Sequence, residues 1–317
     1  MLIYGTDHFV LPLPPAHRFP MQKYAMLRAR VSAAAPHCMR VPNAATEGEL
    51  ARAHDPAYIR SIVDGTIDAR AMRRIGFPWS QAMVERSRRS VGATLAACRT
   101  ALVEGCGINL AGGTHHAHRD RGAGFCVFND AAVAIRTLQA ERAIRTATLI
   151  DLDVHQGDGT AALFRDDPTV YTFSMHGRGN FPFSKTSSRL DVEFADGTGD
   201  ALYLSTLALA LPHVLAAAAP DIAIYLAGAD PFIGDRLGRL ALTKEGLAQR
   251  DRFVLGTLAN RGIPVAIAMA GGYADDVSDI VDIHFATVRT ALALFDGETP
   301  RLPAQEDAGA GQQTLAC

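Results

Sequence analysis

Short β-branched or aliphatic runs that end in Gly, Asp or His alternate along the chain with longer Ala/Leu/Arg-rich stretches whose apolar residues recur at helical spacing. Four runs read as buried strands: 146–154 (TATLIDLDV), 170–175 (VYTFSM), 221–227 (DIAIYLA) and 264–270 (PVAIAMA). The stretches 80–104, 130–141, 201–217 and 243–260 read as helices, with Thr243 as a start signal and Asn260 before Gly262 as a stop. Strands alternating with helices predict βαβ units, hence an α/β fold with a central, mostly parallel sheet flanked by helices on both faces. The opening MLIYGTDHF is strand-like, and the Pro-rich stretch 11–20 reads as a surface loop leading into a helix.

No low-complexity linker or repeat interrupts 1–296, so one domain is expected there, while 297–317, rich in Pro, Gly, Gln and acidic residues, reads as a loosely held tail. At 317 residues, 48% hydrophobic and 20% charged, the chain can bury a large core and is too apolar for disorder. Lys+Arg 31 against Asp+Glu 33 leaves a formal charge of −2, so no global basic field directs it to nucleic acid or anionic lipid. Cys38, Cys98, Cys106, Cys126 and Cys317 show no paired C-x-x-C spacing, which favours a reducing compartment. With no leader-like start and no uncharged apolar stretch of about 18 residues expected, the reading is a cytoplasmic protein with no membrane span.

The candidate chemistry lies where strands end in polar residues. In LIDLDVHQGDGT, Asp151, Asp153 and His155 stand at i, i+2 and i+4, on one side of a strand of period 2. Buried unpaired carboxylates are costly, so the array calls for a cation, a histidine partner or both, although each residue alone reads equally as a turn cap or a packed group. In LAGADP, Asp230 follows an apolar run at the carboxyl edge, where parallel sheets place ligands; a helix N-cap is the plainer alternative. Asp153, His155 and Asp230 form a two-carboxylate, one-histidine set that suits catalytic Zn²⁺ with an open fourth position, with Fe²⁺ or Mn²⁺ not excluded. In AGGTHHAHRDRGAGFCVFND, Gly112 and Gly113 can hold His115 and His116 at a pocket rim as base and acid, whereas His118, Arg119 and Arg121 read as surface groups. In AGGYA, Tyr273 reads either as a hydroxyl donor to an oxyanion or as a packed rim aromatic.

Taken in this order, GGTHHAHRDRGAGFCVFND, DLDVHQGDGT, the GTGD of 197–200, LAGADP and AGGY closely resemble the zinc-dependent histone deacetylase superfamily, over residues 2–295. Gln156 and the run GDRLG resemble its class IV branch and bacterial relatives. The resemblance implies the arginase–deacetylase fold, with Asp153, His155 and Asp230 as ligands of one Zn²⁺ and His115 and His116 as the catalytic pair. It pairs Asp151 with His115 and Asp158 with His116, makes Tyr273 the transition-state tyrosine, and sets Gly124, Phe125 and Phe181 as walls of an acyl-lysine channel. It also implies a structural monovalent cation, usually K⁺, held by Asp151, Asp153, His155, Ser174 and Met175. Ala270 departs from the family pattern, standing where many members have a third glycine, which implies a stiffer loop before Tyr273.

The implied reaction is hydrolysis of an acyl amide on a primary amine. Acyl-lysine of a protein or peptide is the first expectation and a small acyl-amine such as an acetylpolyamine the alternative. A binuclear Mn ureohydrolase and a non-catalytic acyl-lysine binder are further readings. The polyamine enzymes commonly carry an extended entrance loop, of which the stretch 17–23 gives little sign, and small residues at Gly122, Ala123 and Gly124 leave room for longer acyl groups. Oligomeric state stays open.

Overall fold

Every strand is too short to bury its own residues alone, and their side chains divide between two faces. The computed structural model describes residues 1–15 and 17–296, and the expected tail at 297–317 lies outside the described residues. Among the described residues eight strands form one sheet: β1 (Leu2–Tyr4), β2 (Met39–Arg40), β3 (Cys106–Asn109), β4 (Ala147–Asp151), β5 (Val170–Gly177), β6 (Leu190–Phe194), β7 (Ile222–Leu226) and β8 (Val265–Ala268). Their spatial order is β2-β1-β3-β8-β7-β4-β5-β6, with all seven pairings parallel.

Neighbouring residues of the central strands enter different cores. Ile150, Tyr225 and Ile267 join one, while Leu149, Ile224 and Ala266 join the other. Burial on both faces is what parallel sheets require. The first core is closed by α1 (Gln22–Ala34), α8 (Asp200–Ala218), α9 (Lys244–Asn260) and α10 (Val277–Phe295). The second is closed by α3 (Pro56–Val63), α4 (Ala69–Ile75), α5 (Gln81–Glu104) and α6 (Asp130–Ala140), with the short α2 (Glu47–Leu50) and α7 (Asp158–Phe164) beside them. The expected α/β fold with helices on both faces is therefore the observed one, and the sheet is wholly parallel.

Local signals explain the helix bounds. Ser80 caps α5, its Oγ accepting from Met83 N at 3.1 Å, and α5 stops at Gly105 with φ 85°. Asn129 caps α6 and Thr243 caps α9, each taking an amide that the helix leaves unpaired, contributions of about 1 kcal/mol apiece.

Three expectations fail here. The predicted strand 146–154 ends at Asp151, because the chain turns once it passes the carboxyl edge, so Asp153 and His155 lie in the following loop. The stretch 11–20 is more than a surface loop: Leu11 and Pro20 are buried, and Phe19 packs against Phe77 and Phe125. Helix α8 is long and apolar enough to cross a membrane by length and composition, contrary to the expected absence of such a stretch. In the structure it buries Tyr203, Leu207, Leu211, Val214 and Leu215 against the first core.

Candidate active site

Four adjacent strands, β3, β8, β7 and β4, send their C-terminal loops to one place. β4 ends in Asp151 and feeds 152–156; β7 is followed by Asp230; β8 leads to Gly271 and Tyr273; β3 leads to the loop with His115 and His116. Chain order reverses between β3, β8 and β7, the kind of switch point where α/β sheets bind ligands. The loops enclose a cavity of about 900 Å³ lined by His115, His116, Phe125, Asp153, His155 and Tyr273, among others.

At the floor, one donor atom each from Asp153, His155 and Asp230 lies within 4.8 Å of the others, all three residues buried. His155 Nδ1 is 3.0 Å from Asp153 Oδ1 and 3.2 Å from Asp230 Oδ2, and the latter oxygen accepts no hydrogen bond. The remaining oxygens are committed to backbone amides. Asp153 Oδ2 accepts from Gly271 N at 2.8 Å and Asp230 Oδ1 from Val154 N at 2.9 Å, which aims the carboxylates. A Cβ at Gly271 would stand 1.8 Å from Asp230 Oδ2 and 2.7 Å from Asp153 Oδ2, so only glycine lets the loop close over them. Burial and the charge of Asp153 raise Asp230 to about 7, while His155, lowered by burial, is lifted further by both carboxylates to about 10. The oxygen-rich, nitrogen-containing set with an orphaned buried carboxylate oxygen fits a divalent cation.

The two histidines above this floor differ in charge. His115 Nδ1 meets Asp151 Oδ2 at 2.8 Å; burial lowers its pKa, but Asp151 and Asp153 outweigh that and hold it up to about 9. His116 Nδ1 meets Asp158 Oδ1 at 2.7 Å, yet burial and the neighbouring His115 cation push it down to about 4. Asp158 stays ionised, since the hydrogen bonds of His116 and His118 outweigh its burial. An ionised carboxylate only accepts, so His116 donates through Nδ1 and its Nε2 is left with a free lone pair.

His118, read from sequence as a surface group, is instead buried, its Nε2 3.1 Å from Asp158 Oδ2. The short helix α7 carries Asp158 inward to reach both rings; Arg119 and Arg121 are exposed as expected. Gly122 and Ala123 do not line the cavity. A Cβ at Gly122 would meet Cys126 O and Tyr58 Oη, so that site is packed and offers no room for an acyl chain.

Gly124, Phe125 and Phe181 do line it. Gly124, at φ 52°, has no space for a side chain between the His116 and Phe181 rings, and the Phe181 ring crosses His116 at 4.8 Å between centroids. Phe125 lies 5.9 Å from Tyr273. Ala270 adopts φ 55°, a left-handed conformation that costs a residue with a Cβ roughly 1 kcal/mol. For the implied monovalent cation, Asp151 on β4 and Ser174 on β5 are register partners, while Ser174 Oγ also lies 2.9 Å from His176 Nδ1.

Three buried supports were not read from sequence. Asp130 Oδ2 accepts from Gly113 N at 2.9 Å and its Oδ1 from Thr114 N at 2.8 Å, fixing the histidine loop. Arg250 on α9 donates to Gly228 O at 2.7 Å and Leu152 O at 3.2 Å, gripping the chain two residues before Asp230 and one before Asp153. Lys23 on α1 donates to Ala270 O and Gly272 O at 3.4 and 3.3 Å and stands 5.4 Å from the Tyr273 ring. The signal that could have found them is a charged residue on the apolar face of a helix.

A parallel α/β sheet carries, at its carboxyl edge, two carboxylates and a histidine that could hold a metal ion, beside a paired-histidine loop. The histone deacetylase domain profile matches residues 17–288, and the chain belongs to the histone deacetylase family. An uncharacterised protein of the cyanobacterium Picosynechococcus is 43% identical over 297 residues, 93% of this chain and 99% of that protein. Histone deacetylase 2 of Arabidopsis thaliana is 32% identical over 73% of this chain and 62% of its own length, and the acetoin utilization protein AcuC of Bacillus subtilis 32% over 64% and 58%. The chain thus spans nearly all of the first relative and about three-fifths of the other two. The crystal structure of the HDA15 HD domain superposes with TM-score 0.77 at 20% identity, covering 92% of this chain and 91% of that one, a likeness of fold.

Proposed function

We propose that the chain is a zinc-dependent deacylase that hydrolyses the amide of an acylated primary amine, with acyl-lysine of a protein or peptide as the preferred substrate and a small acyl-amine as the alternative. The observation that carries this is geometric: two adjacent imidazoles, each held through Nδ1 by its own carboxylate, Asp151 at 2.8 Å and Asp158 at 2.7 Å, stand above a buried Asp153, His155 and Asp230 set. Those three residues would hold one Zn²⁺, which supplies Lewis acidity to a carbonyl and lowers the pKa of water. His116, neutral and with Nε2 free, takes the proton from the attacking water and returns it to the departing amine. His115, hydrogen-bonded to Asp151 at 2.8 Å, is the supporting member of the pair. Asp158 fixes the tautomer of His116. The Tyr273 hydroxyl donates to the oxyanion as the carbonyl becomes tetrahedral, and Phe125 and Phe181 exclude water from the acyl arm. Asp151, Asp153, His155, Ser174 and Met175 would hold K⁺ as a support of the ligand loop, and the reaction takes place in the cytoplasm.

Dialysis against a strong chelator followed by metal add-back tests this. Turnover of an acetyl-lysine peptide falls below a tenth and returns with one equivalent of Zn²⁺ per chain by elemental analysis. Full activity with no bound metal, or no turnover of any acyl-lysine or acyl-amine in a panel with Zn²⁺ bound, overturns the reading.

A further inference from the structure

The mouth of the cavity carries a charge that the near-neutral whole does not suggest. Among its lining residues are Arg18, Arg73, Arg74, Arg236 and Arg239, all exposed, whereas among the described residues the one lining carboxylate is Asp153 at the floor. These arginines stand on different walls. Arg73 and Arg74 lie in the last turn of α4, and Arg74 O accepts from Gly124 N at 3.1 Å, so this pair is mounted over the Gly124 and Phe125 wall. Arg236 Nε donates to Tyr273 O at 2.9 Å and its Nη2 to Arg18 O at 3.3 Å, which places both beside the tyrosine. Arg239 N donates to Asn180 Oδ1 at 3.2 Å, next to Phe181.

Little neutralises them. Arg236 faces the exposed Asp275 at 3.3 Å and Arg239 faces Asp196 at 3.1 Å, but Arg18, Arg73 and Arg74 have no carboxylate within ion-pair distance among the described residues. Asp68 feels the field of Arg74, yet its side chain is occupied by the amides of Arg70 and Ala71 as the cap of α4. Arginines from several walls around one opening, three of them without an ion-pair partner among the described residues, focus an attractive potential on anions and repel cations. Arginine side chains also offer the paired donors that match carboxylates.

Resting on the deacylase reading, we propose that this arginine ring selects substrates by negative charge: acyl-amines that present a carboxylate just outside the channel, excluding polycationic ones. The carboxylate can come from Asp or Glu residues flanking an acyl-lysine in a peptide or from the α-carboxylate of free acyl-lysine. The shared chemistry is a carboxylate a few ångströms beyond the amine arm, and an acetylpolyamine is disfavoured because its remaining ammonium groups face the same ring.

The test compares kcat/KM, at low and at high salt, for acetyl-lysine peptides of equal length flanked by Glu, Gln or Lys. Nε-acetyl-lysine, its α-amide and an acetylpolyamine complete the panel. The Glu peptide exceeds the Lys peptide by about tenfold at low ionic strength, the gap residing in KM, and narrows at high salt, as expected for several exposed charge contacts. Acetyl-lysine exceeding its amide identifies the free amino acid as a second source; equality confines the effect to peptides. Arg73→Glu/Arg74→Glu reverses the peptide ranking. Anisotropy of the same labelled peptides reads binding independently of turnover. Charge-independent kcat/KM and binding, with turnover intact, overturns the proposal and leaves the deacylase standing; preferential use of the Lys peptide or the acetylpolyamine overturns it outright. Charge-selective binding without turnover of any substrate keeps the ring and rejects the deacylase.

Discussion

The Tyr273 ring is buried between Phe19, Phe125 and Lys23, so its position is set by packing and survives loss of the hydroxyl. Burial and the carboxylates of Asp230 and Asp153 raise its pKa well above the ordinary tyrosine value, which keeps the oxygen a proton donor across the working range. A donor aimed at an oxyanion contributes roughly 3 kcal/mol to the transition state and little to the ground state. Tyr273→Phe is therefore expected to lower kcat about a hundredfold with KM changed less than threefold, measured by steady-state kinetics on an acetyl-lysine peptide. Unchanged kcat would make Tyr273 a packed rim aromatic.

At the scale of elements, α9 does more than cover the sheet. Arg250 is wholly buried, its Nε donates to Asp251 Oδ1 at 2.8 Å, and Asp251 in turn accepts from Tyr225 and Thr287, each at 2.5 Å. Breaking a buried ion pair from one side costs about 3 to 5 kcal/mol, because the partner charge stays behind. Arg250→Met is expected to lower Tm by roughly 10 °C, and the double variant with Asp251→Leu to regain part of that, by differential scanning calorimetry. The site donors were legible because aspartate and histidine are costly at the end of an apolar strand, and such residues stand out even when the strand bounds are two or three residues wrong. The helix pattern could flag Arg250 as a charge on an apolar face but not its role, since the carbonyl it caps at Leu152 is 98 residues away. The same holds for the mouth, where arginines from three segments matter only once α4 and two loops converge. Strand β2, two residues long, is below any periodicity, and α10 was missed, though its apolar stripe reaches from Ile280 to Ala291.

At the scale of the whole molecule, two buried histidines outside the donor set make one acid-sensitive contribution to stability. His54 and His176 are buried, and burial lowers each to about 4. Their folded values lie below the ordinary 6.5, so between pH 6.5 and 4 the unfolded chain binds more protons and stability is lost as pH falls through that window. Each group accounts for up to about 3 kcal/mol. His54 is held at both ring nitrogens, by His118 O at 2.9 Å and Asn129 N at 2.8 Å, contacts that a glutamine amide can imitate without titrating. His54→Gln should then lose less stability than the wild type between pH 7 and pH 4.5, read from urea midpoints. Equal losses would show that His54 is not buried in its neutral form.

The strand order has a consequence for how the machine is assembled. β8, the last strand among the described residues, sits between β3 and β7, so without residues 265–268 the sheet of the described residues falls into β2-β1-β3 and, apart from it, β7-β4-β5-β6. Asp153, His155 and Asp230 follow strands of the second piece, whereas His115 and His116 follow β3 in the first. β8 is thus a keystone: the strand that unites the halves also brings Gly271 to Asp153 and carries Tyr273 into place. Without this one strand the histidine pair and the donor set belong to separate pieces of sheet, and the loop bearing Tyr273 has no place to start from.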